Sequence, residues 1–449
     1  MVCRSITYIH YILFFSILKV FYYKNNRNLK KVFRLNAQHD IILFIYNNRI
    51  GDAMRILIFT EVLAPYVSGI SSYVEVLRKG LEELSHQVLI VTSSPHIKEA
   101  SYKNGVIRCP AKFVNNKYGY ECKNYNDPKI ISFISSFDPD VVHIHTDTKI
   151  GYMGLIVADK TNSPVVFTIH DYFMDRFAAD SSKLLWNVKT YFEKQHFRDM
   201  LDNADVVTSS CSRAAIFVQK AERRKKVFLI RSNTDTDQFD YNNSTKVSIR
   251  KMRQKLGLSE NATVAVFAGN LTVEKNLEFV LSAFAAHLKK SDNIQLLIVG
   301  DGTETDYLKS LCAKLKIKDM VVFAGAVANS IMPDIYSACD IYVCSADDSL
   351  VSMSFLEAMG CGLPVLVKED KEKIVNKMIK HGTNCFVFSK KAEFIKYLKT
   401  LSMLSESDRR RIRQIVRDSL VTADHSTMAE QYVKAYGIAK KKYLHRRFR

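Results

Sequence analysis

From Met54 onward, short apolar runs alternate with segments whose apolar residues fall at helical spacing. "RILIFT" (55–60) leads into a loop with Pro65 and Gly69, then "SSYVEVLRKGLEELSH" (71–86), then a second run, "QVLIVTS" (87–93). That order makes a βαβ unit. "PDVVHIHTD" (139–147), "SPVVFTIHD" (163–171) and "ADVVTSSC" (204–211) read as further strands. The rhythm restarts after residue 240 with "ATVAVFAGN" (262–270), "IQLLIVGDG" (294–302), "MVVFAGA" (320–326), "DIYVCSA" (340–346) and "LPVLV" (363–367). Continuous apolar runs leave no polar strand face, so each sheet should be parallel and covered by helices on both sides. The predicted fold class is α/β, with two Rossmann-like doubly wound domains facing across a cleft. Ligands of such sheets bind beyond the carboxyl ends of the strands, which places the expected site in that cleft.

The expected divisions are an N-terminal extension (1–53), a first Rossmann-like domain (54–235), a second Rossmann-like domain (236–425), and a C-terminal helix with basic tail (426–449). The joint falls near "IRSNTDTDQF" (230–239), a polar, turn-rich stretch in which Asn233 can take a left-handed backbone. Residues 6–23, "ITYIHYILFFSILKVFYY", are mostly apolar but include His10 and Lys19. As a helix this run would reach about 27 Å, the lower limit for a bilayer core. Two readings stand: an N-terminal anchor whose following basic run holds the rest of the chain on the cytoplasmic side, or an artefact upstream of a true start at Met54.

A hydrophobic share of 47% and a charged share of 25% exclude a disordered chain. The nine cysteines show no CxxC or metal-like spacing and read as buried free thiols in a reducing compartment. The net charge of +19 concentrates in residues 24–34 ("KNNRNLKKVFR") and 440–449 ("KKKYLHRRFR"). No zinc-finger, RNP-like or helix-turn-helix pattern accompanies it, so nucleic acid is not the expected partner and an anionic membrane surface is.

Several strand ends carry chemistry that packing does not require. Gly69 precedes a helix whose first N–H groups are unpaired, so a phosphate can approach there; a plain turn glycine is the alternative. His170 ends an apolar strand and should point at the cleft. His143 and His145 alternate on the preceding strand and read as packing or sheet-end residues. Lys275, in the loop "GNLTVEKN" (269–276), can aim a cation at a diphosphate, the alternative being a surface lysine. Ser349, Val351 and Ser352 fall in a stretch expected to form the first turn of a helix with N–H groups toward the cleft. Glu357, on the same helix, can accept both hydroxyl protons of a ribose.

The segments from "RILIFTEVLAPYVSGISSY" through "VVHIHTD", "FTIHD", "GNLTVEKN" and "LLIVGDG" to "FLEAMGCGLPVLV" occur in one order and spacing. In this they resemble the retaining glycosyltransferases of GT-B fold in the large group 1 family, which includes diacylglycerol glucosyltransferases and sulfolipid synthases. The resemblance covers Met54 to about residue 436. It implies that Gly69 lies near the donor phosphates, His170 beside the transferred sugar, Lys275 on the diphosphate and Glu357 on the ribose. Two positions depart: Asn270 stands where the family commonly has Arg, and Ser349 where it has the first of two paired glutamates. Asp347 and Asp348 lie close enough to substitute for the latter if the loop is shifted.

The implied activity is transfer of a hexose from a nucleotide diphosphate sugar, such as UDP-glucose, to a lipid acceptor such as diacylglycerol, with retained configuration. No DxD sequence sits at a strand end, so no metal or cofactor is expected beyond the donor substrate. Two alternatives remain: the same chemistry building a polysaccharide or surface glycan, and a non-catalytic membrane- or partner-binding relative, which the changes at Asn270 and Ser349 motivate.

Overall fold

The computed structural model describes residues 53–64, 66, 68–114, 120–170, 195–210, 212–221, 225–346, 352–369, 380–420 and 425–447. The apolar run at 6–23 lies outside them, as do Asp347, Asp348, Ser349 and Val351. No described helix is long and apolar enough to cross a membrane.

The first sheet contains β1 (Arg55–Thr60), β2 (Gln87–Ser94), β3 (Ser101–Lys103), β4 (Val106–Phe113), β5 (Tyr120–Cys122), β6 (Val141–Ile144), β7 (Val165–Ile169), β8 (Val206–Ser209) and β9 (Val227–Leu229). Helices α1 (Gly69–Glu83), α2 (Pro128–Ser135), α3 (Lys149–Thr161) and α4 (Ser212–Ala221) connect them. The strand order is β3-β4-β2-β1-β6-β7-β8-β9, with β5 paired to β4. All pairs are parallel except β3 with β4 and β4 with β5. The chain therefore leaves β1 on one side, by way of β2, and returns on the other at β6. The crevice between the ends of β1 and β6 is the topological switch point of this sheet.

The second sheet contains β10 (Thr263–Ala268), β11 (Ile294–Val299), β12 (Val321–Gly325), β13 (Ile341–Cys344), β14 (Val365–Lys368) and β15 (Cys385–Phe388). Its helices are α5 (Lys246–Lys255), α6 (Leu277–His287), α7 (Thr305–Lys314), α8 (Met332–Ser337), α9 (Met353–Gly360), α10 (Lys391–Ser402) and α11 (Glu406–Asp418). The order β12-β11-β10-β13-β14-β15 is wholly parallel and reverses between β10 and β13.

Both sheets are covered on both faces, as the apolar runs require. In β1, Leu57 and Phe59 join one buried cluster, while Ile56 and Ile58 join another. In β10, Ala265 and Phe267 face one way, and Val264 and Val266 the other. All eight are 3% exposed or less, as a pleat packed from both sides demands.

The last helix, α12 (His425–Arg447), returns to the first sheet. Its buried residues Met428, Ala429, Tyr432, Ala435, Tyr436 and Ala439 form a helical stripe against Val141, Val166 and Val206 of β6, β7 and β8. Lys440, 4% exposed, holds Asp140 at 3.0 Å, and Arg446 reaches Asp205 at 3.3 Å. Part of the C-terminal basic cluster therefore serves internal ion pairs rather than an outside surface.

At the joint, Asn233 does not use the left-handed conformation open to it and is buried. Asp235 shapes the turn instead, its Oδ1 accepting from the backbone N–H groups of Asp237 and Gln238, and Lys79 of α1 donates to its Oδ2 at 2.7 Å.

Candidate active site

At the switch point of the second sheet, β10 runs into Gly269, Asn270 and Lys275, and β13 into Ser345. Gly300, just after β11, has φ +125°, and a Cβ there would stand 2.0 Å from the carbonyl oxygen of Gly269. Only a glycine lets the two strand ends approach so closely. Asn270 is exposed, and Lys275 is half-buried at the end of a 3-10 turn, Val273–Lys275. The Ser345 hydroxyl donates to the carbonyl oxygen of Lys275 at 2.7 Å, tying the turn after β10 to the end of β13.

Ser352 lies outside the helix rather than in its first turn. It is the N-cap of α9, extended at φ −69° and ψ 159°, and its Oγ accepts from the Phe355 N–H at 3.3 Å. A side-chain cap of this kind satisfies one of the helix's orphan donors and sets the boundary. Glu357, one turn further on, is 4% exposed, and Tyr336 donates to its Oε2 at 3.3 Å. Burial pushes its carboxyl up to about 7, and the Tyr336 hydroxyl pulls the other way. A carboxyl kept off a solvated helix face at that cost is a candidate for a ligand contact.

The α9 helix packs on α1 of the first lobe, where Met353 joins the apolar cluster that contains Tyr73, Val74 and Leu77. Gly69 is the first residue of α1, behind the N-cap Ser68, whose Oγ accepts from Ser71 N–H at 3.0 Å. A Cβ on Gly69 would meet nothing within 4 Å, and its backbone is not left-handed, so nothing among the described residues requires glycine there.

On the first sheet, His170 follows β7 and is half-buried. Its Nε2 lies 2.8 Å from Nδ1 of His145, and the edge of Tyr73 meets its ring at 4.7 Å between centroids. Behind them His143 bonds Tyr436 through Nδ1 at 2.9 Å and Thr168 through Nε2 at 2.6 Å. Tyr432 bonds Tyr73 at 2.7 Å and Thr168 at 3.0 Å. Burial holds both His143 and His145 below their ordinary range, the latter at about 3.

Sequence reasoning also missed Glu61, which follows β1 at the switch point and is 1% exposed. Thr148, the N-cap of α3, makes no cap bond and donates its hydroxyl to Glu61 Oε2, while Oε1 has no hydrogen-bond partner among the described residues. Burial raises this carboxyl to about 7, against the hydroxyls of Ser93 and Thr148, which lower it. Its signal was available: like His170, it is a charged or polar residue at the carboxyl end of a central apolar run. Among the described residues, no group of three or more His, Cys, Asp or Glu side chains has the arrangement to hold a metal ion.

The sequence model described as "Glycosyltransferase Family 4" matches residues 67–238, and the one described as "Glycosyl transferases group 1" matches residues 248–418. An alpha-monoglucosyldiacylglycerol synthase of Acholeplasma laidlawii is 26% identical over 359 residues, covering 77% of this chain and 87% of that one. A protein of the same description from Streptococcus pneumoniae is 26% identical over 319 residues, 70% of each chain. Among solved structures, Anabaena HepE in complex with UDP and glucose superposes with a TM-score of 0.61 at 18% identity, over 85% of this chain and 99% of that one. With a parallel sheet under each matched segment and a switch point at the end of each sheet, the chain belongs to the group 1 glycosyltransferases and has the GT-B fold.

Proposed function

We propose that this glycosyltransferase moves a hexose from a UDP-sugar to a lipid acceptor such as diacylglycerol, with retention of configuration. The observation that carries the donor half is the second sheet's switch point, where Lys275 and the Glu357-bearing helix follow neighbouring strands. An ammonium group there offsets diphosphate charge, and a buried carboxyl accepts from a ribose diol. Gly69 leaves open space beside a helix start for a phosphate, and backbone N–H groups at Ser349, Val351 and Ser352 are assigned to the same nucleotide. Asn270, in the place of an arginine, contributes hydrogen bonds without charge, so Lys275 bears more of the neutralisation.

Chemistry follows from charge development. As the bond from the anomeric carbon to the diphosphate breaks, negative charge grows on the leaving oxygen and positive charge on the sugar ring. Lys275 and the helix starts stabilise the first, and His170 hydrogen-bonds the sugar. Glu61, at the first sheet's switch point, lies on the side assigned to the acceptor. The acceptor class is supported by the two monoglucosyldiacylglycerol synthases, which align over most of their length.

A donor screen with membrane extract as acceptor, followed by product identification, tests the reading. A glycosylated lipid is expected, and a glycosylated polysaccharide would replace the acceptor assignment. Lys275→Ala and Glu357→Ala should each depress both donor hydrolysis and transfer. Full turnover in both variants refutes the site.

A further inference from the structure

The first sheet holds a buried carboxyl with one oxygen left over. Glu61 follows β1 at the switch point and is 1% exposed. Its Oε2 accepts from the Thr148 hydroxyl, which is directed to it instead of capping α3. Oε1 has no hydrogen-bond partner among the described residues. Neither has the hydroxyl of Ser93, one position beyond the paired Thr60 and Thr92 on β1 and β2, although it lies close enough to pull the carboxyl's pKa down. A buried polar atom without a partner is costly, and folds rarely keep one for packing alone.

The surroundings define the chemistry of the missing partner. Burial brings this carboxyl to about 7, so ionised and neutral forms coexist near neutral pH. An alcohol suits both, because its hydroxyl donates to the first and accepts from the second. A phosphate or carboxylate would meet like charge, and an ammonium would stand near the positive start of α3, one hydroxyl away at Thr148. Oε1 is enclosed, so a hydroxymethyl group at the end of a chain fits it better than a hydroxyl on a ring or a branched carbon. Next to it, Val62 forms a small apolar cluster with Ala111 and Tyr120, against which Tyr66 and Ile70 pack. Phe113, 71% exposed at the end of β4, extends that flank through His96, whose Nε2 bonds the Tyr66 hydroxyl at 3.0 Å.

We propose that Glu61 is an acceptor-binding residue whose Oε1 takes a primary hydroxyl of the acceptor, while Thr148 fixes the carboxyl through Oε2. The acceptor's apolar body lies along the flank of Val62, Tyr66 and Phe113. The lipid nature of that body rests on the function proposed above, whereas the hydroxyl contact stands on the unpartnered carboxyl oxygen.

The full chain and its Glu61→Leu variant are compared, with UDP-glucose as donor, on two positional isomers of dioleoylglycerol in detergent micelles. One has a free primary hydroxyl and the other a free secondary one, and donor hydrolysis without acceptor is measured alongside. Wild type should prefer the primary isomer by about tenfold or more. Leucine fills the site without a polar atom, so the ratio of transfer to hydrolysis should fall by about ten- to a hundredfold and the isomer preference should fade. Glu61→Gln keeps the shape and should lower the same ratio by a smaller factor, about three- to tenfold, and it decides the matter if the leucine variant does not fold. A ratio equal to wild type would mean that Oε1 holds only a buried water, and overturns the proposal. Hydrolysis and transfer falling in step, with the isomer preference intact, would mark Glu61 as structural and overturn it too. If wild type glycosylates neither isomer, the lipid reading fails instead, and the same ratio measured with membrane extract and the donor selected by the screen still decides Glu61.

Discussion

Replacing Glu357 by glutamine sets two consequences of burial against each other. In the folded chain this carboxyl is raised from the ordinary 4.5 to about 7, chiefly by desolvation. Below the unfolded value both states are protonated and the group costs nothing. Between the two values the unfolded chain has released its proton and the folded one has not, so stability falls as pH rises, and the loss is complete above the folded value. At 1.36 kcal/mol for each unit of pKa, the full loss is roughly 3 kcal/mol. Glutamine keeps the shape without the charge, so Glu357→Gln should melt above wild type at about pH 8, the gain shrinking toward zero below the unfolded value. Nucleotide binding should move the other way. Losing charge-assisted hydrogen bonds from a ribose diol removes about 1.5–3 kcal/mol, a weakening of roughly ten- to a hundredfold. Calorimetric titration with UDP at about pH 5.5 and about pH 8 reads both effects when paired with thermal unfolding. Wild-type affinity should rise with pH and the variant's should stay flat. A variant that binds UDP as tightly as wild type at the higher pH would refute the ribose assignment, and one that gains no stability there would refute the burial argument.

Three further outcomes are expected. Gly69→Ala adds a methyl group where none is contacted, so the melting temperature should hold or rise while UDP affinity drops, and unchanged affinity in a titration would leave the glycine unexplained. Gly300→Ala drives a Cβ into the carbonyl of Gly269 and should cost upward of about 3 kcal/mol in denaturant unfolding. Lys440→Met removes the ammonium partner of half-buried Asp140, whose carboxyl is raised by burial but held below its ordinary value overall by the Arg55 N–H and the Lys440 ammonium. That loss should lower stability by about 1.5–3 kcal/mol in the same assay, the cost of one charge-assisted hydrogen bond, since Asp140 keeps the Arg55 N–H at 2.9 Å.

The central strands were readable because an apolar run with no polar face has one architectural solution. Five strands were not anticipated: β3, β5 and β9 have three residues each, β4 contains Pro110, which argues against a strand interior, and β15 is an apolar run of only four residues, "CFVF". His170, Lys275 and Glu357 stood out as polar residues at or beyond strand ends. Glu61 obeys the same rule, but it sits against Val62 and Leu63 and reads as the start of an ordinary loop. His145 was read with His143 as a packing or sheet-end residue, and its contact with His170 was not legible, because spacing reports which face a residue takes and not what lies across from it. The return of α12 was equally silent, since its stripe of Met428, Tyr432 and Tyr436 declares a helix and leaves its partner unnamed.

That return couples the first lobe to residues made long after its own strands. Val141, Val166 and Val206 stay uncovered by their final partner until Met428 and its neighbours have been translated, almost two hundred residues after β9. At 5–20 residues per second the nascent sheet waits roughly ten to forty seconds with an apolar face open, so the ribosome-bound chain is the species in greatest need of a chaperone.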